Sequence, residues 1–289
     1  MKPESTADMR IGRIKYINTL PFYHKLFTDD DRSVEIYENC PAKINYALRH
    51  KKVDIAPISS LEYLNHQSEY VLLPDLAIGS RDFSKSVLLF SRDKLEGLDG
   101  TTIALTRESL SSAVLLRILM KFKYKFKNRF VSSSADIETT LEKYPAALVI
   151  GDEALLYQPR EFVYKYDLSE LWWNWTEKPF CFSLWAVRKQ FARDEHDRVT
   201  EFYFRLVENL NHNLSDLETL IKNAMHMSFL DATFPKIFGY LFNLSYGLDA
   251  SMQEGLLLYY RLAHRLGVSP IAGNLEFFEF DKKAASKKT

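Results

Sequence analysis

Short apolar segments alternate with amphipathic segments along the first half of the chain. Strand-like segments at Ile11–Ile17 and Val53–Pro57 are separated by a helix-like segment at Pro41–Arg49, and the pattern restarts with strand-like segments at Thr101–Leu105 and Ala146–Ile150. Strand and helix in alternation are typical of a parallel or mixed sheet covered by helices. The sequence therefore predicts an α/β fold.

A polar turn with two glycines at Leu95–Gly100 separates two alternating units. We predict a discontinuous first lobe, residues 9–92 plus 186–289, and an inserted second lobe, residues 93–185. The chain would cross between the lobes near the tracts SVLLFSR and FSLWAVR. Clefts between lobes are favoured sites for small ligands, so we expect the functional site in an interlobe cleft.

The charge balance limits the classes of partner. The 38 Lys and Arg side chains match the 38 Asp and Glu side chains, which favours neither nucleic acid nor an anionic membrane. No stretch approaches the roughly 18 consecutive apolar residues of a membrane helix, and no secretory signal precedes the first strand. We therefore expect a cytoplasmic protein with a small-molecule partner and a solvated basic tail, KKAASKKT.

Patterns typical of metal and nucleotide sites are absent from the sequence. The two cysteines and seven histidines have no metal-ligand spacing, and neither a GxSxG elbow, a P-loop nor a GxGxxG motif occurs. The aromatic run LWWNW at 171–175 suits either a stacking platform for a ring or packing under a hinge. We expect neither a metal nor an organic cofactor.

Four loops follow predicted strands and carry polar side chains: YINTLP, PISSLEY, LTRESLSS and IGDEAL. Loops at the carboxyl ends of strands hold ligands in α/β folds, and a helix N-terminus with free amide hydrogens attracts a carboxylate or phosphate. Asn and Ser are also preferred helix caps. Capping and ligand binding therefore both remain open for Asn18, Ser59, Ser111 and Ser112.

Seven blocks in order carry a family resemblance: IGRIKYINTLPFY, VDIAPISSLEYL, SVLLFSR, LDGTTIALTRESLSSAVLLRILM, ALVIGDEAL, YDLSELWWNWTEKPFCFSLWAVRK and LSYGLDASMQEGLLLYYRLA. They resemble the MqnA family, the chorismate dehydratases of the futalosine route to menaquinone, from Arg10 to Gly267. The resemblance implies a two-lobed fold like that of type II periplasmic binding proteins, with a hinge cleft. It also implies a cytosolic enzyme that uses this clamp.

The implied reaction converts chorismate to 3-[(1-carboxyvinyl)oxy]benzoate, also named 3-enolpyruvylbenzoate, and water. A base must take the hydrogen on the ether-bearing carbon while the neighbouring hydroxyl leaves and the ring becomes aromatic. Side chains that serve as general bases occur in these loops only as Glu62, Glu108, Asp152 and Glu153, which suit capping or solvent exposure equally well. We therefore favour a substrate-assisted hypothesis, in which the enolpyruvyl carboxylate takes the proton.

The resemblance also assigns candidate site residues. Asn18 would orient the substrate and Ser86, at the hinge strand, would hold it from the other side; these are the catalytic candidates. The substrate-binding candidates are Ser59, Thr106, Ser111, Ser112, Gly151 and Asp152.

Two alternatives and two departures from the family stay open. One alternative is the activity of the sister enzyme MqnD, 1,4-dihydroxy-6-naphthoate synthase. That enzyme has a histidine that serves as its base where this chain has Gly151, which disfavours this alternative. The other alternative is a non-catalytic module that binds chorismate or a related carboxylate. SRDFSK replaces a glycine-rich approach to the hinge strand, which would place Arg81 or Lys85 near an anionic ligand or leave a solvated loop. The pair Glu177-Lys178 replaces part of a TGLPF tract.

Overall fold

The computed structural model describes residues 9–27, 33–227 and 233–280, with the side chains of residues 226 and 227 excepted. The expectations for the N-terminal segment and for the basic tail lie outside these ranges. Within them the strands are β1 (Met9–Ile14), β2 (Val34–Asn39), β3 (Ile55–Ser59), β4 (Tyr70–Ser80), β5 (Val87–Ser91), β6 (Thr102–Thr106), β7 (Arg129–Ser133), β8 (Ala146–Ile150), β9 (Tyr164–Asp167), β10 (Phe180–Arg188) and β11 (Leu244–Ser245).

Helices cover these strands. They are α1 (Leu20–Tyr23), α2 (Pro41–Arg49), α3 (Ser60–Asn65), α4 (Leu110–Ile118), α5 (Ile137–Lys143), α6 (Gly151–Leu156), α7 (Leu168–Thr176), α8 (Lys189–Asp194), α9 (His196–Ser215), α10 (Leu217–Met227), α11 (Phe234–Asn243) and α12 (Ala250–Leu266). Short 3-10 turns occupy Ile17–Thr19 and Leu95–Leu98, and a π-helical turn occupies Leu119–Lys123. None of the helices in the described ranges is long and apolar enough to cross a membrane.

The strands form two mixed sheets. The order is β11-β4-β10-β3-β1-β2 in the first sheet and β7-β6-β8-β5-β9 in the second. In the first, β1 runs parallel to β2 and β3, whereas β10 returns antiparallel to β3 and β4. In the second, β6 runs parallel to β7 and β8. The predicted α/β class with two units is confirmed.

The chain crosses between the two sheets at residues that differ from the predicted lobe boundaries. Strand β5 precedes residue 93 but pairs with β8 and β9 of the second sheet. Strand β10 begins before residue 186 but pairs with β3 and β4 of the first sheet. The crossings therefore lie in the segments just before β5 and just before β10, while the division into lobes stays a prediction.

The end of one helix and the start of another were predicted wrongly. The chain after β1 forms the turn Ile17–Thr19 and the short helix α1, not one helix from Pro21 to Leu26. Helix α4 begins three residues before the predicted Ala113, because Ser109 caps it by accepting a hydrogen bond from the Ser112 amide at 3.2 Å. Capping chemistry at Ser109 thus decides where this helix begins.

The core covers both faces of the first sheet and extends onto the second sheet. Strand β3 is buried at every residue because it sits inside the sheet between β10 and β1. On one face, Trp185 of β10 is fully buried against Phe22 and Phe202. The other face packs against α12, where the backbone carbonyl of Pro179 at the start of the return crossing contacts Gly255.

Gly255 tests this close approach of α12 to the crossing. A Cβ at residue 255 would overlap the Pro179 carbonyl oxygen, whereas a Cβ at Gly239 of α11 would meet only the Lys85 Nζ atom at 3.5 Å. We expect Gly255→Ala to lower the free energy of unfolding by about 1–3 kcal/mol through overpacking. Gly239→Ala should be neutral or stabilising by up to about 1 kcal/mol, because Ala favours a helix more than Gly does. Urea denaturation of both variants measures the difference, and equal effects would contradict it.

Candidate functional site

The carboxyl ends of the parallel strands in the two sheets face each other. The Ile17 amide, after β1, donates a hydrogen bond to the Asp152 carboxylate, after β8, at 3.0 Å. The Leu61 amide, after β3, donates to the Ser111 hydroxyl, in the first turn of α4, at 2.9 Å. All four predicted loops therefore meet across one interface.

A tyrosine completes this interface. The Tyr16 hydroxyl donates a short hydrogen bond to the Glu108 carboxylate, in the loop between β6 and α4. The Tyr16 ring also lies against Gly151, where φ is +70° and an added Cβ would come within 2.8 Å of the ring. Burial, together with the Glu108 carboxylate, raises the pKa of Tyr16 far above its ordinary value. The tyrosine therefore stays protonated and donates.

A small inner cavity of about 60 Å³ lies behind Tyr16. Of the side chains in the described ranges that line it, none is charged. Polar and apolar groups reach it from both sheets: Ile14, Tyr16, Asn18, Pro41, Ser59, Ile78, Ser86, Val87, Ser109, Ser112, Ile150, Gly151, Phe182, Ser183 and Leu244. Asn18, Ser86, Ser59, Ser112 and Gly151 are thus brought together, and their roles remain a prediction.

Asn18 does not cap a helix. It lies within the 3-10 turn, and the structure shows no capping hydrogen bond from its side chain or from that of Thr19. The Thr19 hydroxyl instead bonds to the carbonyl oxygens of Ile14 and Tyr16, at 2.7 and 3.0 Å, which closes the turn. The Asn18 Oδ1 atom is buried without a hydrogen-bond partner. A buried polar atom without a partner calls for a ligand or water.

Ser86, just before β5, is held by groups from α11 and from the residue after β8. Its hydroxyl accepts a hydrogen bond from Tyr240 of α11 at 2.9 Å, and its carbonyl accepts from the Gly151 amide at 2.8 Å. Burial raises the pKa of Tyr240, against the smaller lowering effects of Ser86 and Asn18. Tyr240 therefore remains a neutral donor that fixes the Ser86 hydroxyl.

Further hydroxyls surround the inner cavity. The Ser59 hydroxyl accepts a hydrogen bond from Asn45 at 2.8 Å, and those of Ser109 and Ser112 bond to each other at 3.0 Å. Ser183 pairs with Ser59 across β10 and β3, beside a shift in register, and its hydroxyl is buried without a partner. The cavity thus presents neutral hydrogen-bonding groups, two of which have an unpaired oxygen.

Three predicted substrate-binding residues do not line this cavity. The Ser111 hydroxyl accepts from Leu61 and its carbonyl accepts from Tyr259, the Thr106 hydroxyl accepts from the Glu108 amide at 3.1 Å, and Asp152 accepts from Ile17. Their part in ligand binding stays a prediction. The Ser111 and Asp152 bonds join the two sheets, whereas the Thr106 bond is local to the loop after β6.

The family departures and the aromatic run lie elsewhere. Arg81 pairs with Asp249 at 2.6 Å, and the Lys85 ammonium donates to the Gly239 carbonyl at 3.0 Å, so neither reaches the inner cavity. Trp172 of the LWWNW run is fully buried edge-to-face against Phe180 at the start of β10. The run therefore packs under the crossing.

Sequence reasoning missed Tyr16, Ser109, Phe182, Ser183 and Tyr240. Only Ser109 had a local signal, as a serine three residues before Ser112 at a helix start. Tyr240 lies on α11, more than a hundred residues after Ser86 in the chain, so no local pattern connects the two. No group of three His, Cys, Asp or Glu side chains in the described part of the chain is arranged to hold a metal.

Comparison with known proteins identifies relatives of the sequence. A family model described as menaquinone biosynthesis matches residues 9–265. A chorismate dehydratase from Thermus thermophilus is 32% identical over 196 residues, which cover 62% of this chain and 70% of that protein.

Solved structures share the fold at low sequence identity. A structural genomics target from Archaeoglobus fulgidus superposes with a TM-score of 0.74 at 18% identity, covering 90% of this chain and 98% of that one. The periplasmic aliphatic sulphonate binding protein SsuA from Escherichia coli gives 0.63 at 13% identity, covering 95% and 94%. The predicted periplasmic-binding-protein-like fold is confirmed.

The contact between Gly151 and Tyr16 yields a stability prediction. Gly100 has the same φ of +70° but no atom within 4 Å of an added Cβ. Gly151→Ala and Gly100→Ala should each lower the free energy of unfolding by about 1–2 kcal/mol, because a non-glycine residue is strained in the left-handed conformation. Gly151→Ala alone should lower it by about 1–3 kcal/mol more, because the added Cβ overpacks against the Tyr16 ring. Urea denaturation separates the two contributions. Equal losses would show that the Tyr16 ring moves aside freely.

Asp152 yields a pH prediction. Burial raises its pKa from 3.8 to about 6, despite the opposing hydrogen bond from Ile17. The folded state therefore keeps a proton that the unfolded state loses, so the stability from this group is lost as pH rises through about 6. Relative to the Asp152→Asn variant, the free energy of unfolding of the wild type should fall by about 2–3 kcal/mol between about pH 4 and pH 7.

Chemical denaturation of both proteins across this pH range measures the effect. Asp167, whose pKa burial also raises to about 6, is present in both proteins and cancels in the difference. Parallel stability curves for the wild type and the variant would contradict the prediction.

Proposed function

The chain belongs to the menaquinone biosynthesis family, and from that premise we propose that it is a chorismate dehydratase, a hydro-lyase that forms 3-enolpyruvylbenzoate and water. The observation that carries the proposal is the inner cavity, where Asn18 and Ser183 have buried, unpartnered oxygens close to Ser86. The relative from Thermus thermophilus carries the same activity in its name.

In the proposed reaction, the substrate supplies its own base. The enolpyruvyl carboxylate takes the hydrogen from the ether-bearing ring carbon, the electron pair forms the new ring double bond, and the neighbouring hydroxyl leaves. The departing oxygen then takes the same proton, so that one water forms and the carboxylate is restored. The protein holds the reacting atoms close together, which supplies much of the rate enhancement.

The neutral lining supports this mechanism. A carboxylate bound by hydroxyl and amide groups without a cation is poorly stabilised as an anion, and desolvation raises its proton affinity. The described lining offers Ser, Asn and Tyr side chains and no Lys or Arg. Asn18 can orient the departing hydroxyl, and Ser86, fixed by Tyr240, can hold the opposite side of the ring.

The cavity volume implies that the protein opens to bind. About 60 Å³ accommodates roughly two water molecules at about 30 Å³ each, whereas ligand pockets measure about 300–1,000 Å³. The hydrogen bonds of Tyr16 and Ile17 across the interface must therefore break or lengthen before chorismate enters. Separation of the two sheets about their crossings is the motion that this fold permits.

The sister synthase fits the site less well. A histidine in place of Gly151 would need a left-handed backbone and the space that the Tyr16 ring fills. A non-catalytic carboxylate-binding module uses the same cavity, and it would bind chorismate without converting it.

The activity test is to mix purified protein with chorismate and to follow the ultraviolet spectrum and the product mass. We expect loss of one water, and a fall in kcat of about 10²-fold or more for Asn18→Ala, as for loss of one preorganised hydrogen-bonding group. Ser86→Ala should also slow turnover. Ser80→Ala is the matched control, because its hydroxyl is buried without a partner on β4 but does not line the cavity.

Two outcomes would contradict the proposal. Saturable binding of chorismate without product would indicate the binding module. Equal turnover by Asn18→Ala and Ser80→Ala would place the reaction outside the inner cavity.

A further inference from the structure

A second, larger cavity lies on the other side of the Tyr16–Glu108 pair. Its volume is about 380 Å³, within the range of ligand pockets. Both sheets contribute to it, through the loops after β1, β2, β6 and β7 and the start of α6. We call it the outer cavity.

The two cavities share one wall. Tyr16 lines the inner cavity and Glu108, its hydrogen-bond partner, lines the outer one. The residues next to this pair in the chain also line different cavities. Ser109, which follows Glu108, lines the inner cavity, and Lys15, which precedes Tyr16, lines the outer cavity. The Tyr16–Glu108 pair therefore lies between the two cavities.

The outer cavity carries the charge that the inner one lacks. Lys15, Lys43 and Arg107 line it with exposed side chains, opposed by Glu108 and Glu153. Glu108 accepts the Tyr16 hydroxyl, and burial, together with repulsion from Glu108, raises the pKa of Glu153. The Lys15 charge also acts on the nearby Asp152 carboxyl, where it opposes part of the rise in pKa that burial causes. Cations at the mouth of a cleft concentrate an anionic ligand and speed its association.

We propose that the outer cavity is an anion-binding vestibule for a dicarboxylate, and that the Tyr16–Glu108 pair is the gate between vestibule and inner cavity. The proposal rests on the proposed function, because that function supplies the dicarboxylate. In this proposal, Lys15, Lys43 and Arg107 bind the ligand first, and the ligand enters the neutral inner cavity once the gate opens.

The vestibule is tested by the association rate of chorismate, followed by stopped-flow tryptophan fluorescence at low and high salt. The triple variant Lys15→Gln, Lys43→Gln, Arg107→Gln should associate about tenfold more slowly at low ionic strength and approach the wild-type rate at about 0.5 M salt. Glu153→Gln should act in the opposite direction and raise the low-salt association rate, because it removes a repulsive charge.

The matched control is a second triple variant, Lys121→Gln, Lys125→Gln, Lys127→Gln. These lysines line a different cavity, with Arg117 and Phe130, and their removal changes the net charge by the same amount. The control should associate at close to the wild-type rate. Equal slowing by both triple variants would overturn the vestibule, because only the net charge would then matter.

The gate is tested by Tyr16→Phe, which keeps the ring against Gly151 but removes the hydrogen bond to Glu108. Chorismate association and dissociation should both become several-fold faster. Unchanged or slower rates would overturn the gate. Binding that follows these patterns without product would contradict the dehydratase and leave the vestibule supported, whereas no chorismate binding by the wild type would overturn both.

Discussion

The position of Tyr16 against Gly151 is the constraint on which the rest of the site depends. The left-handed φ of Gly151 and its missing Cβ allow the aromatic ring to lie directly on the backbone after β8. The same tyrosine reaches Glu108, and the next amide, of Ile17, reaches Asp152. These contacts hold the turn after β1 against the second sheet, so that Asn18 faces Ser86 across the inner cavity. A larger residue at 151 would move this turn and change the cavity.

In the proposed mechanism, the site separates attraction of the substrate from the chemical step. A cation inside a closed cavity would stabilise a carboxylate as an anion and lower its proton affinity, which is unfavourable when that carboxylate must act as the base. The described lining of the inner cavity is neutral, and the cations lie in the outer cavity. In this proposal, long-range attraction operates at the mouth, where charges remain hydrated. Hydrogen bonds from hydroxyl and amide groups would orient the substrate inside, where the proposed reaction depends on geometry.

The sequence predicted the fold class and the loops of the site, because both depend on local patterns. Helix α2 and strand β8 have the predicted bounds, and the YINTLP, PISSLEY, LTRESLSS and IGDEAL loops meet as parallel strand ends do. The sequence did not predict the shared wall of Tyr16 and Glu108 or the Tyr240 contact with Ser86, because each joins residues far apart in the chain. For Asn18, local patterns favoured capping, whereas the family resemblance favoured contact with a ligand. The structure shows no capping hydrogen bond and a buried, unpartnered amide oxygen, and the ligand contact stays a prediction.

A crystal structure of the protein with 3-enolpyruvylbenzoate tests most directly whether the inner cavity is the reaction site. We expect the product ring to lie between Asn18 and Ser86, with a hydrogen bond to the Asn18 amide and with an inner cavity larger than about 60 Å³. Binding to the outer cavity alone, with the Asn18 oxygen still unpartnered and the inner cavity unchanged, would contradict it.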